Sequence, residues 1–179
     1  MTAIGISALI VIVLLLVYMN SGSGGSPSAT GSDNSHYSTT QKGGANNPGF
    51  LIHTDTDWQG KTESTGCKFE NFATLHYGIR AWYVNLFGKV KNGTITNTNQ
   101  MIDVLTPAGK ENAENARNNY KREVAKAQNW LELGIAVFNF EANPDWLNSS
   151  QKQQALESGF SSAVQYRYGS GNVPPYFNN

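Results

Sequence analysis

The sequence predicts a mainly α-helical protein that has a single N-terminal transmembrane helix and a small α(+β) domain. Three features point to this fold class: an uncharged apolar run at residues 2–19, a Gly- and Ser-rich stretch after it, and apolar residues at helical spacing in the remainder. These features predict a transmembrane anchor at 1–20, a flexible linker at 21–45, a globular domain at 46–168 and an extended tail at 169–179.

The apolar run at 2–19 has the length of a membrane span. A hydrocarbon core about 30 Å thick takes about 20 apolar residues at about 1.5 Å each, and a helix satisfies its own backbone groups there. A cleaved secretory signal fits less well, because the first Lys or Arg is Lys42 and Tyr18-Met19-Asn20 is not a small-residue cleavage site. A buried globular helix fits least, because the run is apolar on every side. No nearby positive charge sets the orientation.

The linker is composed of Gly, Ser, Thr and Asn, with few apolar residues. Such a segment buries too little apolar surface to offset the entropy of ordering. As a flexible coil it would hold the domain about 25–30 Å from the bilayer on average. The sequence therefore predicts a membrane-tethered domain that can sample the space near the bilayer surface.

Charge and cysteine content exclude several classes of protein. Lys plus Arg and Asp plus Glu number 13 each, so the formal net charge is zero, which argues against a nucleic-acid partner. The single cysteine, Cys67, excludes an internal disulfide and is expected to be a small buried side chain. Three scattered histidines offer no metal-ligand spacing. We expect no metal and no cofactor.

The first half of the domain combines an aromatic loop with two helices. Residues 49–72 mix aromatic and turn-forming residues and predict an irregular loop with a short hairpin. A helix is predicted from 75 to 88–89, where Gly and Lys would end it. Asn92-Gly93 predicts a turn, and 94–105 a second short helix. The first helix's predicted inner face consists of Ile79, Tyr83, Leu86 and Phe87.

The second half is predicted as helix, strand, turn and helix. Residues 111–133 carry apolar side chains at spacings of four, three and four, typical of one helical stripe. The apolar run 135–140 resembles a short β-strand, and 143–145 predicts a turn. A last helix is expected after Ser149 or Ser150 as its N-cap. Its predicted inner residues are Leu156, Phe160, Ala163 and Val164.

Short motifs follow one another in a fixed order between residues 46 and 134. They are Asn47-Pro48-Gly49, Trp58-x-Gly60, Phe69-x-x-Phe72, Gly78-Ile79-Arg80-Ala81, Thr94-Ile95, Pro107, and Glu114-Asn115 with Tyr120. This order resembles a family of phage and prophage virion proteins. The family pattern departs from this chain at three places, which here read Phe50-Leu51-Ile52, Leu105-Thr106 and Arg117.

The family layout is similar to that of lysozyme-superfamily peptidoglycan hydrolases, with an Asn-rich turn, an aromatic loop and then helices. The turn also resembles that of flagellar-type glucosaminidases. Combined with the anchor, the resemblance implies a lysozyme-like domain held in the membrane of a membrane-containing bacteriophage virion. It implies a lipid bilayer and peptidoglycan as partners, and a muramidase or lytic transglycosylase activity during infection.

A glycosidase needs a carboxylic acid as proton donor. In glucosaminidase-like folds this acid precedes the Asn-rich turn, where this chain offers only Asp33. Among the acids of the aromatic loop we predict Glu63 as the donor and Asp57 as its assistant, both near Trp58, which would stack on sugar. Solvated loop carboxylates remain the alternative. Further substrate contacts are predicted at Asn47 and Asn115.

Other residues are predicted to serve packing. Trp82 is expected in the core, with a place beside Trp58 in a glycan groove as the alternative. Tyr120 is expected in the core with a solvated hydroxyl, and Arg80 is expected to pair with Glu114 across two helices.

A non-enzymatic function is the alternative. The chain would then be a minor virion protein that links the internal membrane to capsid or vertex proteins. Its docking surface would comprise Trp146, Phe160, Tyr166, Tyr168, Tyr176 and Phe177. A cellular membrane-anchored adaptor is a third possibility, without specific support.

Overall fold

The computed structural model describes residues 44–63, 68–105, 113–142, 145–169 and 172–177. All of them belong to one compact unit, 37–179. The predicted membrane helix at 1–20 lies outside the described residues, as does the linker up to residue 43. Within the described part of the chain, no helix has the length and apolarity to cross a membrane.

The mainly helical class is confirmed, since the described residues form five helices and one small sheet. The strands are β1 (Lys61–Thr62) and β2 (Asn71–Phe72). The helices are α1 (Leu75–Lys91), α2 (Thr98–Leu105), α3 (Ala113–Val124), α4 (Trp130–Glu141) and α5 (Ser150–Tyr168).

Side-chain caps begin three of the helices. Thr74, Asn129 and Ser149 have extended backbones, and their side-chain oxygens accept N–H bonds from the first turns of α1, α4 and α5. The prediction that Ser149 or Ser150 caps the last helix is therefore confirmed, with Ser149 in that position.

The core is rich in aromatic rings and draws on all five helices, with the most extensive packing between α1 and α5. Tyr83 of α1 is fully buried, and its hydroxyl donates to the Trp130 carbonyl at 2.8 Å. Phe160 of α5 packs edge-on against Tyr83, with 5.1 Å between ring centroids. Gly159 lets the two helices approach, because a Cβ there would lie 2.8 Å from the Ile79 side chain. The predicted inner face of α1 is confirmed as core.

The aromatic loop and short hairpin predicted at 49–72 are also confirmed. The antiparallel strands pair Lys61 with Phe72. The chain before them lies against α1, where a Cβ on Gly78 would meet the Asn46 carbonyl oxygen at 1.8 Å. The Ala45 N–H donates to Asn71 Oδ1 at 2.7 Å, so the contacts of the loop include a residue that precedes the predicted boundary at 46.

Two predicted helix boundaries were wrong. Helix α1 continues past Gly88 to Lys91, since the left-handed turn falls at Gly93 (φ 78°). Helix α2 begins at Thr98 instead of Thr94. Thr94 and Thr96 donate their backbone N–H groups to the side chains of Asn92 and Gln100, and these bonds favour a turn over a helix.

The prediction of one helix at 111–133 and a strand at 135–140 was also wrong. Helix α3 ends at Val124, and α4 runs from Trp130 to Glu141. Asn129 separates them because its side chain caps α4. A short apolar run fits a buried helix as well as a strand, and here Val137 and Phe138 are fully buried within α4.

The described part of the predicted tail packs against α4. The Trp130 Nε1–H donates to the Pro174 carbonyl at 2.8 Å. The rings of Tyr176 and Phe177 each lie 4.9 Å from the Trp130 ring. Residues 172–177 therefore cover the start of α4.

Candidate functional site

An open groove of about 790 Å³ lies between the aromatic loop and the helices. The loop residues 49–59 supply one wall, and α1 supplies the other through Trp82, Asn85 and Lys89. The C-terminal ends of α2, α4 and α5 complete the lining. A groove of this size lined by aromatic and polar side chains is a candidate binding site.

Glu141 supplies a carboxyl group to this groove. It is the last residue of α4 and is half-buried. The hydroxyl of the buried Tyr120 donates to its Oε1 atom. Burial raises the pKa of Glu141 to about 7, and the negative end of the α4 dipole also disfavours an anion at this position.

A carboxyl group with a pKa near 7 can act as a general acid at neutral pH. Proton donation is most effective when the donor keeps its proton at the working pH and releases it readily. A carboxyl held in an apolar pocket serves this purpose in glycoside cleavage. Glu141 therefore has the placement and the protonation expected of a proton donor.

The groove brings two of the predicted site residues together with Glu141. Trp58 is half-buried in the loop wall, and Asp57 beside it is exposed. An indole face at a groove wall is suited to stacking against a sugar ring. The site therefore combines an aromatic platform, an accessible carboxylate and an acid that keeps about half of its protons at neutral pH.

The other predicted site residues lie elsewhere. Glu63 is exposed beside the hairpin and is not among the groove-lining residues. Asn47 is 3% exposed; its amide donates to the Leu51 and Glu70 carbonyls and accepts the Leu51 N–H, all at 2.9 Å, which uses its donors within the loop. Asn115 lies in α3, and its side chain is outside the described residues.

A buried ion pair holds the loop wall in place. Glu70 is fully buried, and its carboxylate accepts the Thr54 N–H at 2.9 Å and contacts Lys61 Nζ at 3.2 Å. Lys61 also donates to the Thr54 carbonyl at 2.6 Å. Burial alone would raise the pKa of Glu70, but the Thr54 and Lys61 contacts outweigh it and lower that pKa. His53 Nδ1 lies 3.2 Å from the same carboxylate.

We expect Glu70→Gln to lower the free energy of unfolding at neutral pH by about 1–3 kcal/mol, because it leaves Lys61 without its counter-ion. A carboxylate with a lowered folded-state pKa contributes its stability above its ordinary pKa, and that contribution is lost as the pH falls through the folded-state value. In urea unfolding, the difference in the free energy of unfolding between wild type and Glu70→Gln should therefore become smaller at acidic pH. Glu123→Gln, at an exposed ion pair on α3, is the control. An equal loss of unfolding free energy in Glu123→Gln would contradict a special contribution of the buried Glu70 pair.

Arg80 does not make the predicted pair with Glu114. Its Nε–H donates to Ser162 Oγ of α5 at 3.0 Å, and Glu114 is exposed on α3. The prediction was wrong because α1 packs against α5, which places Arg80 beside that helix. Trp82 and Tyr120 lie in the core as predicted, although the Tyr120 hydroxyl contacts Glu141 instead of solvent alone.

Glu141 is the site residue that sequence reasoning missed. The strand predicted at 135–140 placed it at the end of an element, where a Glu is unremarkable. The same residues interpreted as a helix place Glu141 four positions after the buried Val137 and three after the buried Phe138, on the inner side. A single Glu at inward helical spacing was the available signal.

The six aromatic residues predicted to form a docking surface are mostly turned inward. Trp146 is 3% exposed and belongs to the core, and four others pack against the core. Tyr166 alone among the six is largely exposed, at 62%.

Comparison with known proteins gives no match, either to a family model or to a curated protein sequence. The candidate site is therefore defined by its own geometry.

Proposed function

We propose that the folded unit cleaves the glycan strands of peptidoglycan, with Glu141 as the proton donor. The observation that carries this proposal is a carboxyl group of pKa about 7 in the same groove as Trp58. Perturbed acids in a cleft are typical of catalytic sites, and a neutral carboxyl is what departure of a glycosidic oxygen requires.

The groove residues divide the work in the following way. Trp58 stacks against a hexosamine ring and holds the strand along the loop wall. Glu141 gives its proton to the glycosidic oxygen as the bond breaks, and the carboxylate of Asp57 stabilises the positive charge that develops on the sugar. Water, or the sugar's own C6 hydroxyl, then bonds to the anomeric carbon and releases a proton. Tyr120 fixes the Glu141 side chain by its hydroxyl.

The wider assignment is a single-pass protein of a bacteriophage virion membrane whose lysozyme-like domain acts during passage through the host cell wall. The apolar run at 2–19 and the ordered motifs between 46 and 134 support it. The tether between them would let the domain reach peptidoglycan near the bilayer. The inward packing of the C-terminal aromatic residues favours this function over a docking protein that links membrane to capsid.

The activity is tested with the full chain in mild detergent on purified peptidoglycan. We expect clearing in a zymogram, with release either of new reducing ends by a hydrolase or of anhydro-sugar ends by a lytic transglycosylase. A folded protein that gives no clearing and no new chain ends would contradict the proposal. Stable binding to capsid or vertex proteins in that case would favour the linking function.

Membrane attachment is tested separately by flotation with lipid vesicles. We expect the full chain to rise with the vesicles at high salt, because attachment rests on apolar residues and not on charge. A chain that stays monomeric in solution without detergent or lipid would contradict the anchor.

A further inference from the structure

Three cationic side chains line the groove: Arg80, Lys89 and Arg167. Arg80 is only 9% exposed, and Arg167 donates its Nε–H to the Val84 carbonyl at 3.0 Å. Among the described residues, neither arginine has an Asp or Glu oxygen within 4.0 Å. A buried guanidinium normally has an anionic partner, because its desolvation is otherwise uncompensated.

The two arginines converge on Tyr166. The guanidinium carbons of Arg80 and Arg167 lie 5.0 and 5.3 Å from the centroid of its ring. The ring offsets part of their mutual repulsion through cation–π contacts, and Tyr166 is itself 62% exposed and lines the groove. The positive charge of Arg80 also acts on His76. Burial is the larger cause of the lowered pKa of His76, and the Arg80 charge is the smaller one.

We propose that Arg80, Tyr166 and Arg167 form a carboxylate subsite that binds the acidic groups of peptidoglycan. This inference rests on the proposed function and names the part of the substrate that the groove distinguishes. Peptidoglycan carries carboxylates on its stem peptides, and a lactyl carboxylate on each muramic acid from which the peptide has been removed. Arginine binds such groups through paired hydrogen bonds.

The other charges of the groove favour isolated carboxylates over a phosphate polyanion. The carboxylate of Asp57 and the ionised fraction of Glu141 line the same groove, and they would repel a ligand with a negative charge at every unit. The chain has no net positive charge that would attract nucleic acid. A neutral hexosamine strand with spaced carboxylates can place uncharged sugar beside the acidic residues and its carboxylates beside the arginines.

Direct binding tests this subsite independently of cleavage. The full chain in mild detergent would carry Glu141→Gln, so that no probe is consumed, and calorimetry would compare three probes. These are a neutral chitooligosaccharide, a peptide-free glycan oligomer with lactyl carboxylates, and a muropeptide oligomer with its stem peptides. Arg80→Gln and Tyr166→Ala test the subsite, and Arg122→Gln, at an exposed ion pair on α3, is the matched control.

We expect Arg80→Gln to weaken binding of the carboxylate probes roughly tenfold or more, with the chitooligosaccharide and the control unchanged. Tyr166→Ala should weaken the same probes by a smaller factor, and because Tyr166 is exposed its effect does not depend on the Arg80 contact with Ser162. A loss on the peptide-free glycan alone identifies the lactyl carboxylate as the ligand, and a loss on the muropeptide alone identifies the stem peptide. A loss on both acidic probes shows that the subsite accepts either carboxylate.

Three results would overturn the subsite. The first is that Arg80→Gln leaves the affinity for the acidic probes unchanged, and the second is that it weakens binding of the neutral probe by the same factor. The third is that a single-stranded oligonucleotide binds more tightly than the muropeptide. Failure of the proposed cleavage activity can be distinguished from failure of the subsite. If the chain with Glu141 intact cuts no glycan but retains the arginine-dependent preference for acidic probes, the subsite stands and the cleavage proposal fails.

Discussion

Glu141→Gln is expected to abolish cleavage of peptidoglycan and to leave the fold intact. Gln cannot donate the proton that the leaving oxygen needs, and loss of a general acid typically reduces the rate by about 10²–10⁴-fold. The amide has nearly the same shape, and its oxygen can still accept the Tyr120 hydroxyl bond. Release of new chain ends from peptidoglycan is the measurement, with circular dichroism as the test of folding.

The wild-type rate should depend on pH in a way that identifies the same residue. Because the pKa of Glu141 is about 7, its proton is lost as the pH rises through that value. Cleavage should therefore decline on the alkaline side of neutrality. A rate that is constant from about pH 6 to 9 would contradict the assignment.

Stability gives a second readout that does not depend on activity. The folded-state pKa of Glu141 is raised from 4.5 to about 7, so its stability contribution is complete below pH 4.5 and is lost as the pH rises through about 7. Gln avoids the cost of burying a carboxylate. At about pH 8.5 we expect the variant to be more stable than wild type by on the order of 2 kcal/mol, with a smaller difference at about pH 5.

Glu63→Gln is the matched control for these measurements. Glu63 was the proton donor predicted from sequence, but it is exposed and lies outside the lining of the groove. Its substitution should change the cleavage rate by less than about twofold and the stability by less than about 0.5 kcal/mol. A larger loss of cleavage in Glu63→Gln than in Glu141→Gln would indicate that Glu63, beside the hairpin, is the proton donor.

The sequence was sufficient to predict the elements that depend on local signals. The spacing of Ile79, Tyr83 and Phe87 identified α1 and its buried face, and the pair Ser149-Ser150 indicated the start of α5, where Ser149 is the cap. Each of these assignments rests on periodicity or on a cap, which are properties of a few neighbouring residues.

The candidate site was harder to predict because it depends on contacts between distant segments. Asp57 and Trp58 come from the loop and Glu141 from the end of α4, and only the folded chain places them in one groove. The apolar run before Glu141 carries no periodicity that separates strand from helix. Likewise, the partner of Arg80 depends on the packing of α1 against α5, which no local pattern specifies.

Phe87→Ala is expected to destabilise the folded unit by about 3–5 kcal/mol. Phe87 is fully buried in α1, and its ring contacts four others, from α1 itself, α4 and α5. They are Tyr83, Trp130, Phe160 and Tyr168, at centroid distances of 5.6, 5.3, 6.0 and 5.6 Å. Removal of the ring leaves a cavity between three helices and ends all four contacts.

A loss of this size is a large part of the 5–15 kcal/mol that holds a typical domain together. It should lower the melting temperature of the unit by roughly 10–20 °C. Thermal unfolding followed by circular dichroism in the same detergent is the measurement. A decrease below about 1 kcal/mol would show that the rings around Phe87 do not form the common core of α1, α4 and α5.

Tyr166→Ala is the matched control, since it also truncates an aromatic ring, on the helix that faces α1. Tyr166 is 62% exposed and contributes mainly its contacts with Arg80 and Arg167, so we expect a loss of about 1 kcal/mol or less. The contrast separates two roles for aromatic residues in this chain. Phe87 holds the helices together, whereas Tyr166 faces the groove, and a folded Tyr166→Ala protein makes any change in its ligand binding attributable to the groove.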